Sequence, residues 1–119
     1  MYKQNDKSGY RNVLDKIQQK TLAYGDKTLM AEFRLEQGAD LPKHSHPHEQ
    51  TGYLVSGEIA LTIGEKTHQV KPGDSWCIAG DVEHKAMALE DSVAIEVFSP
   101  PLYGEGVTLC WCSSTDMFL

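Results

Sequence analysis

Apolar and polar positions alternate along much of this chain in short runs, and turn residues separate the runs. Leu29, Ala31, Phe33 and Leu35 alternate with Met30, Glu32, Arg34 and Glu36. Ile59, Leu61 and Ile63 alternate with Ala60 and Thr62, and Val93, Ile95 and Val97 with Ala94, Glu96 and Phe98. Such period-2 alternation predicts half-buried strands, because successive side chains leave a strand on opposite faces. Shorter runs of strand length lie at 21–24, 50–55, 67–70, 75–78 and 85–89. Turn signals such as Gly25-Asp26, Ser56-Gly57, Gly64-Glu65, Pro72-Gly73-Asp74 and Ala79-Gly80-Asp81 punctuate them. Eight strands within about 80 residues predict an all-β sandwich or barrel and exclude a helical or doubly wound α/β fold. The first twenty residues admit two readings. Tyr10, Val13, Leu14 and Ile17 fall at helical spacing, and the same stretch also suits an edge strand. Beyond Pro101, residues 107–112 alternate again and the chain closes on Met117-Phe118-Leu119, an apolar end expected to dock on the barrel or on a second subunit.

The 119 residues suffice for one domain, and 40% apolar with 24% charged residues is globular composition. Eleven basic residues against 17 acidic ones give a net charge of −6, which argues against nucleic acid and anionic membranes as partners. Arg11 and Arg34 are the only arginines, too few for an arginine-rich anion clamp. No apolar run approaches the roughly 20 residues of a spanning helix, and MYKQNDKSGY lacks a signal-peptide core. With three cysteines, an odd number, the expectation is reduced thiols in the cytoplasm.

The chemistry concentrates in GADLPKHSHPHEQTGYLVSG, residues 38–57. His44, His46 and His48 stand at alternate positions, followed by Glu49 and Gln50, and His84 follows the apolar run at 76–78. Side chains at i and i+2 of an extended segment point the same way, so His44 and His46 can converge on one ion, fixed in a cavity by a ligand from another strand. Imidazole is a common ligand for Zn, Fe, Ni and Cu. In a regular strand His44, His46, His48 and Gln50 all face one way, so spacing alone leaves His48 and Gln50 as rivals. The other view of these histidines is a set of exposed or capping side chains. His68, near a polar turn, reads as surface, and Glu49 as a solvated strand carboxylate.

Two stretches resemble the paired motifs of the cupin superfamily. The first, Gly, five residues, His-x-His, three residues, Glu, six residues, Gly, runs here as Gly38, His44, His46, Gln50 and Gly57, with glutamine in place of glutamate. The second resembles PGDSWCIAGDVEH, from Gly73 to His84, with Ala79 at the usual proline and Asp81 at the second glycine. The resemblance implies a double-stranded β-helix, the cupin jelly-roll barrel, as one domain over 1–119. Its barrel is expected at about 22–101, with an N-terminal arm at 1–21 and a tail at 102–119. It further implies one divalent metal (Mn, Fe, Ni or Zn) held by His44, His46, His84 and Gln50, with His48 in the second shell or as alternative ligand. With the apolar tail, it implies a homodimer.

Four neutral donors leave the ion its full charge, which favours Lewis-acid chemistry and anionic small molecules, although all-neutral ligand sets also occur in oxygenases. The segments HSHPHEQTGYLVSGE, AMALEDS and VFSPP resemble a branch of small cupins that includes the pectin-degradation protein, which converts unsaturated uronates to open-chain keto forms. That branch carries an acid and an arginine whose positions are Glu96 and Leu102 here, so a bidentate carboxylate partner is missing. Glu96, the lone charge between Val93 and Phe98, is a general base if its face is the cavity and an ordinary outer acid if that face is solvent. Phe98, Tyr53 and Trp76 are cavity-lining candidates, and Tyr53 and Trp76 also suit the core. Cys110 and Cys112 are too few for a structural zinc site. The reading is a metal-binding enzyme of isomerase or ketonisation type acting on a small sugar-derived or keto/enol acid. Its rivals are a metal-dependent dioxygenase and a non-catalytic small-ligand binder.

Overall fold

A computed structural model describes residues 1–101; Leu102, Cys110, Cys112 and the expected strand at 107–112 lie outside them. Ten strands run along the described chain: β1 (Arg11–Leu14), β2 (Ile17–Tyr24), β3 (Leu29–Leu35), β4 (Asp40–His44), β5 (Glu49–Ser56), β6 (Ile59–Ile63), β7 (Lys66–Val70), β8 (Ser75–Ile78), β9 (His84–Ala88) and β10 (Ser92–Ser99). They form a six-stranded sheet, β1-β2-β3-β10-β5-β8, facing a four-stranded sheet, β4-β9-β6-β7. Every pairing is antiparallel. The all-β jelly-roll expectation holds, and the expected strands at 59–63 and 75–78 fall on β6 and β8.

The start of the chain departs from its helical alternative. Leu14 pairs with Ile17 across the tight turn that carries Lys16 at φ 67°, and β2 continues along β3. Much of the expected arm is therefore sheet, because Ile17 and Gln19 are needed to cover that end of the core. The first residues lie over Lys20, whose Nζ donates to the Asp6 carbonyl at 2.6 Å and pairs with its carboxylate at 3.3 Å.

Leu29, Ala31, Phe33 and Leu35 of the large sheet meet Leu41, Ile59, Leu61, Ala86 and Ala88 of the small one. Phe33 and Phe98 pack edge to face, centroids 6.4 Å apart, a favoured aromatic geometry. On β10 the interior face is Ala94, Glu96 and Phe98, all buried, while Val93, Ile95 and Val97 look outward. Tyr53 differs from both of its expected placements. It alternates with the buried Gly52 and Leu54, so the pleat turns it to the outer face, where it is 49% exposed. Among the described residues no helix is long and apolar enough to cross a membrane.

Candidate metal centre

Cross-strand register builds one end of the barrel from two facing rows. On the small sheet His44 of β4 stands opposite His84 of β9, which stands opposite Ile63 of β6. On the large sheet Phe98 stands opposite Gln50, and Gln50 opposite Ile78. One step deeper run Ala31, Glu96, Gly52 and Trp76. His46 reaches the same space from the loop between β4 and β5, which the next motif clamps. Asp81 donates its N–H to the His46 carbonyl at 2.7 Å, and Gly80 lies so close that a Cβ there would sit 2.6 Å from the Pro47 oxygen. Asp81 has φ 68°, a left-handed conformation that aspartate tolerates, which explains how it stands at a glycine position of the motif.

The structure brings His44, His46 and His84 together, with one donor atom of each within 4.8 Å of the others. Their ring centroids lie 4.2 Å (His44–His84), 5.0 Å (His46–His84) and 5.8 Å (His44–His46) apart. Each ring spends Nδ1 on a backbone carbonyl: His44 on Pro42 at 2.8 Å, His46 on His48 at 3.1 Å and His84 on Val82 at 2.9 Å. A carbonyl only accepts, so each Nδ1 carries the proton and each Nε2 keeps its lone pair, as in a metal-ligating histidine whose other nitrogen is held by a carbonyl. Nε2 of His44, Nε2 of His46 and Oε1 of Gln50 are buried without hydrogen-bond partners. Burying such atoms unpaired costs on the order of 1–3 kcal/mol each, and an ion among them removes that cost. The donor set therefore fits a divalent metal.

Burial, reinforced by His84 and His44 alongside, pushes the His46 imidazole down to about 4. Its nitrogen thus stays unprotonated where a free imidazole would be charged. Glu96 is 2% exposed, and that burial pushes its carboxyl up to about 8 against the opposing pull of Gln50 and Trp76. Gln50 Nε2 donates to Glu96 Oε1 at 3.1 Å. The Trp76 indole N–H acts on the same carboxyl without a hydrogen bond of ordinary geometry. Its ring crosses the strand over Gly52, where any Cβ would overlap the indole.

The remaining candidates separate clearly. Phe98 is buried beside His46, with centroids 6.1 Å apart, and lines the site. Half-buried Trp76 packs against the core as well as facing Glu96. His48 stands 5.6 Å from His46 in ring centroids, outside the three-histidine cluster, and burial holds its imidazole below the usual range. Glu49 and His68 are exposed, as expected. The positioning roles of Gly52, Gly80 and the Pro42 and Val82 carbonyls were not anticipated. Carbonyls carry no sequence signal, but a glycine inside a strand pattern is a mark of close approach.

Residues 31–99 match the family model Cupin_2, the cupin domain. The chain is 33% identical over 70 residues to the uncharacterized protein SCO3923 of Streptomyces coelicolor, which covers 58% of this chain and 67% of that protein. The structure of KdgF from Halomonas sp. superposes with a TM-score of 0.80 at 29% identity, over 84% of this chain and 93% of the other. An RmlC-like cupin from Shewanella frigidimarina superposes at 0.81 with 21% identity, over 85% and 91% of the two chains, a likeness of fold alone.

Proposed function

From the fact that this chain belongs to the cupin family, we propose that it is a metal-dependent enzyme of isomerase or ketonisation type, acting on a small keto or enol acid. His44, His46, His84 and Gln50 would hold one divalent ion, and Glu96 would move the proton. The observation that carries this reading is a buried carboxyl, raised to about 8, one hydrogen bond behind a group of orphaned donors. A proton carrier works best when its pKa lies near the operating pH, which an ordinary glutamate does not reach. When bound, the ion supplies Lewis-acid stabilisation of a substrate oxygen that gains negative charge. Glu96 Oε1 accepts from the Gln50 amide, so we assign the proton to Oε2. Burial keeps the pKa of the carboxyl high against the downward pull of the Gln50 and Trp76 N–H groups. The substrate class stays broader than uronates, because the arginine of the similar branch is replaced by Leu102.

The test is hydrogen–deuterium exchange beside the carbonyl of small keto acids, unsaturated uronate products included, followed by NMR with metal-loaded protein. Glu96→Gln is expected to slow exchange by roughly 10²–10⁴-fold with metal content unchanged. Full activity in that variant removes Glu96 from the chemistry, and oxygen uptake by the Fe(II)-loaded protein would replace the reading with a dioxygenase.

We also read the protein as a cytoplasmic homodimer. Supporting the dimer, Met30, Tyr53 and Val55 are exposed on the same outer sheet face as Val93, Ile95 and Val97. Sedimentation of the full chain gives the oligomeric state.

A further inference from the structure

We propose that Glu96 is also a positioning residue: by accepting the Gln50 N–H it turns the Gln50 carbonyl oxygen toward the three histidines and makes the amide an oxygen donor to the ion. This rests on the metal reading above and concerns how the fourth donor is aimed.

A primary amide has an acceptor end and a donor end, and only the oxygen end can ligate a cation. The terminal torsion of glutamine is broad and roughly two-fold, so the side chain does not itself select which end faces inward. Gln50 and Glu96 are 1% and 2% exposed, which leaves solvent little part in the choice. The hydrogen bond from Nε2 to Glu96 Oε1 at 3.1 Å makes it. With Nε2 engaged, Oε1 is left buried and unpartnered, as is Nε2 of the neighbouring His46. The flipped amide would set N–H against the ion, and against an ionised Glu96 it would also set oxygen against oxygen. With its proton on Oε2 the carboxyl still offers Oε1 as an acceptor, so the aiming holds in the ionised form and in that protonated form. Acceptance by Glu96 also polarises the amide and strengthens its oxygen as a donor.

Two substitutions separate aiming from proton transfer. Glu96→Gln keeps an acceptor oxygen, whereas Glu96→Leu keeps bulk and removes it. Affinity for Zn(II), measured by competition with a chromogenic chelator, should stay within about threefold of the parent in Glu96→Gln and fall roughly 10–100-fold in Glu96→Leu. The visible spectrum of the Co(II)-loaded protein should change in Glu96→Leu only. Equal affinity and spectra in Glu96→Leu and parent overturn the inference while leaving the metal centre intact. A parent that binds no metal overturns both readings. Should Glu96→Leu not fold, Glu96→Met decides, since it too keeps bulk and offers the amide no oxygen acceptor. A loss of tenfold or more is expected there, and parental affinity overturns the inference.

Discussion

Replacing Glu96 by glutamine in the metal-free protein should make folding stability less dependent on pH, by an amount the structure sets. Burial raises this carboxyl from 4.5 to about 8. The folded state therefore binds the proton more tightly than the unfolded chain does. The stabilising contribution is fully present below pH 4.5, declines as pH rises through the window, and is gone above about 8. At roughly 1.4 kcal/mol per pKa unit, the whole span is on the order of 5 kcal/mol, a large share of the 5–15 kcal/mol typical of a domain. His46 acts with the opposite sign. Its pKa falls from 6.5 to about 4, so stability from this group grows as pH rises between those values and is lost on acidification. The two slopes oppose each other in acid, and of this pair only Glu96 still contributes between pH 6.5 and 8. Between pH 6.5 and 8 the parent should lose about 1.5–2 kcal/mol relative to Glu96→Gln, which is neutral throughout and keeps an acceptor for the Gln50 amide. Urea unfolding with chelator present, at half-unit pH steps, measures this as a midpoint falling by on the order of 1 M in the parent alone. Parallel midpoint curves for the two proteins over this interval would refute the burial argument for Glu96.

Three further outcomes follow from the same geometry. Gly52→Ala places a methyl where the Trp76 indole lies, so it should cost about 1–3 kcal/mol and displace the ring from Glu96; thermal melting and indole emission read both. His48→Ala should leave Zn(II) affinity within about threefold of the parent, whereas Gln50→Ala should lower it roughly tenfold or more; chelator competition distinguishes the rival fourth donors. A metal at a hundredfold excess over its Kd adds about 2.7 kcal/mol to stability. The melting temperature should therefore rise by about 10 °C on loading and return on chelation.

The strands were legible wherever burial is one-sided. Buried and open positions alternate along β3 because Leu29, Ala31, Phe33 and Leu35 fill the interior and their neighbours do not. β4 escaped notice because its interior positions are Leu41 and His44, an irregular pair with little apolar signal. β1 is short and exposed at its start, and it exists by pairing with β2 rather than through burial of its own. The three histidines were legible because extended spacing puts His44 and His46 on one side and the motif pairs them with His84. The facing of β10 was not. Its more hydrophobic face by composition, Val93, Ile95 and Val97, lies outside, and the face carrying a carboxylate lies inside. Hydrophobic pattern fails there because a carboxyl occupies a core position, the kind of violation that functional sites produce.

The same inversion explains why a carboxyl sits behind the donors and not among them. A carboxylate ligand would cancel half the charge of a divalent ion and lose much of its own basicity to the bond. On the proposed reading, a carboxyl one amide away would leave the charge of the ion uncancelled for an anionic oxygen and would keep a lone pair for a proton. On that reading Gln50 would be the spacer: one end of its amide could ligate without cancelling charge, and the other donates to the buried carboxyl. The arrangement needs both partners dry. Water at Glu96 would bring its pKa back toward 4.5, and water at Gln50 would compete for both ends of the amide. Phe98 opposite Gln50 and Trp76 laid across Gly52 meet that need from two neighbouring rows of the same sheet. The packing of the large sheet is thus part of the electrostatics of the site, and a substitution that opens either aromatic contact should reach the metal and the proton together.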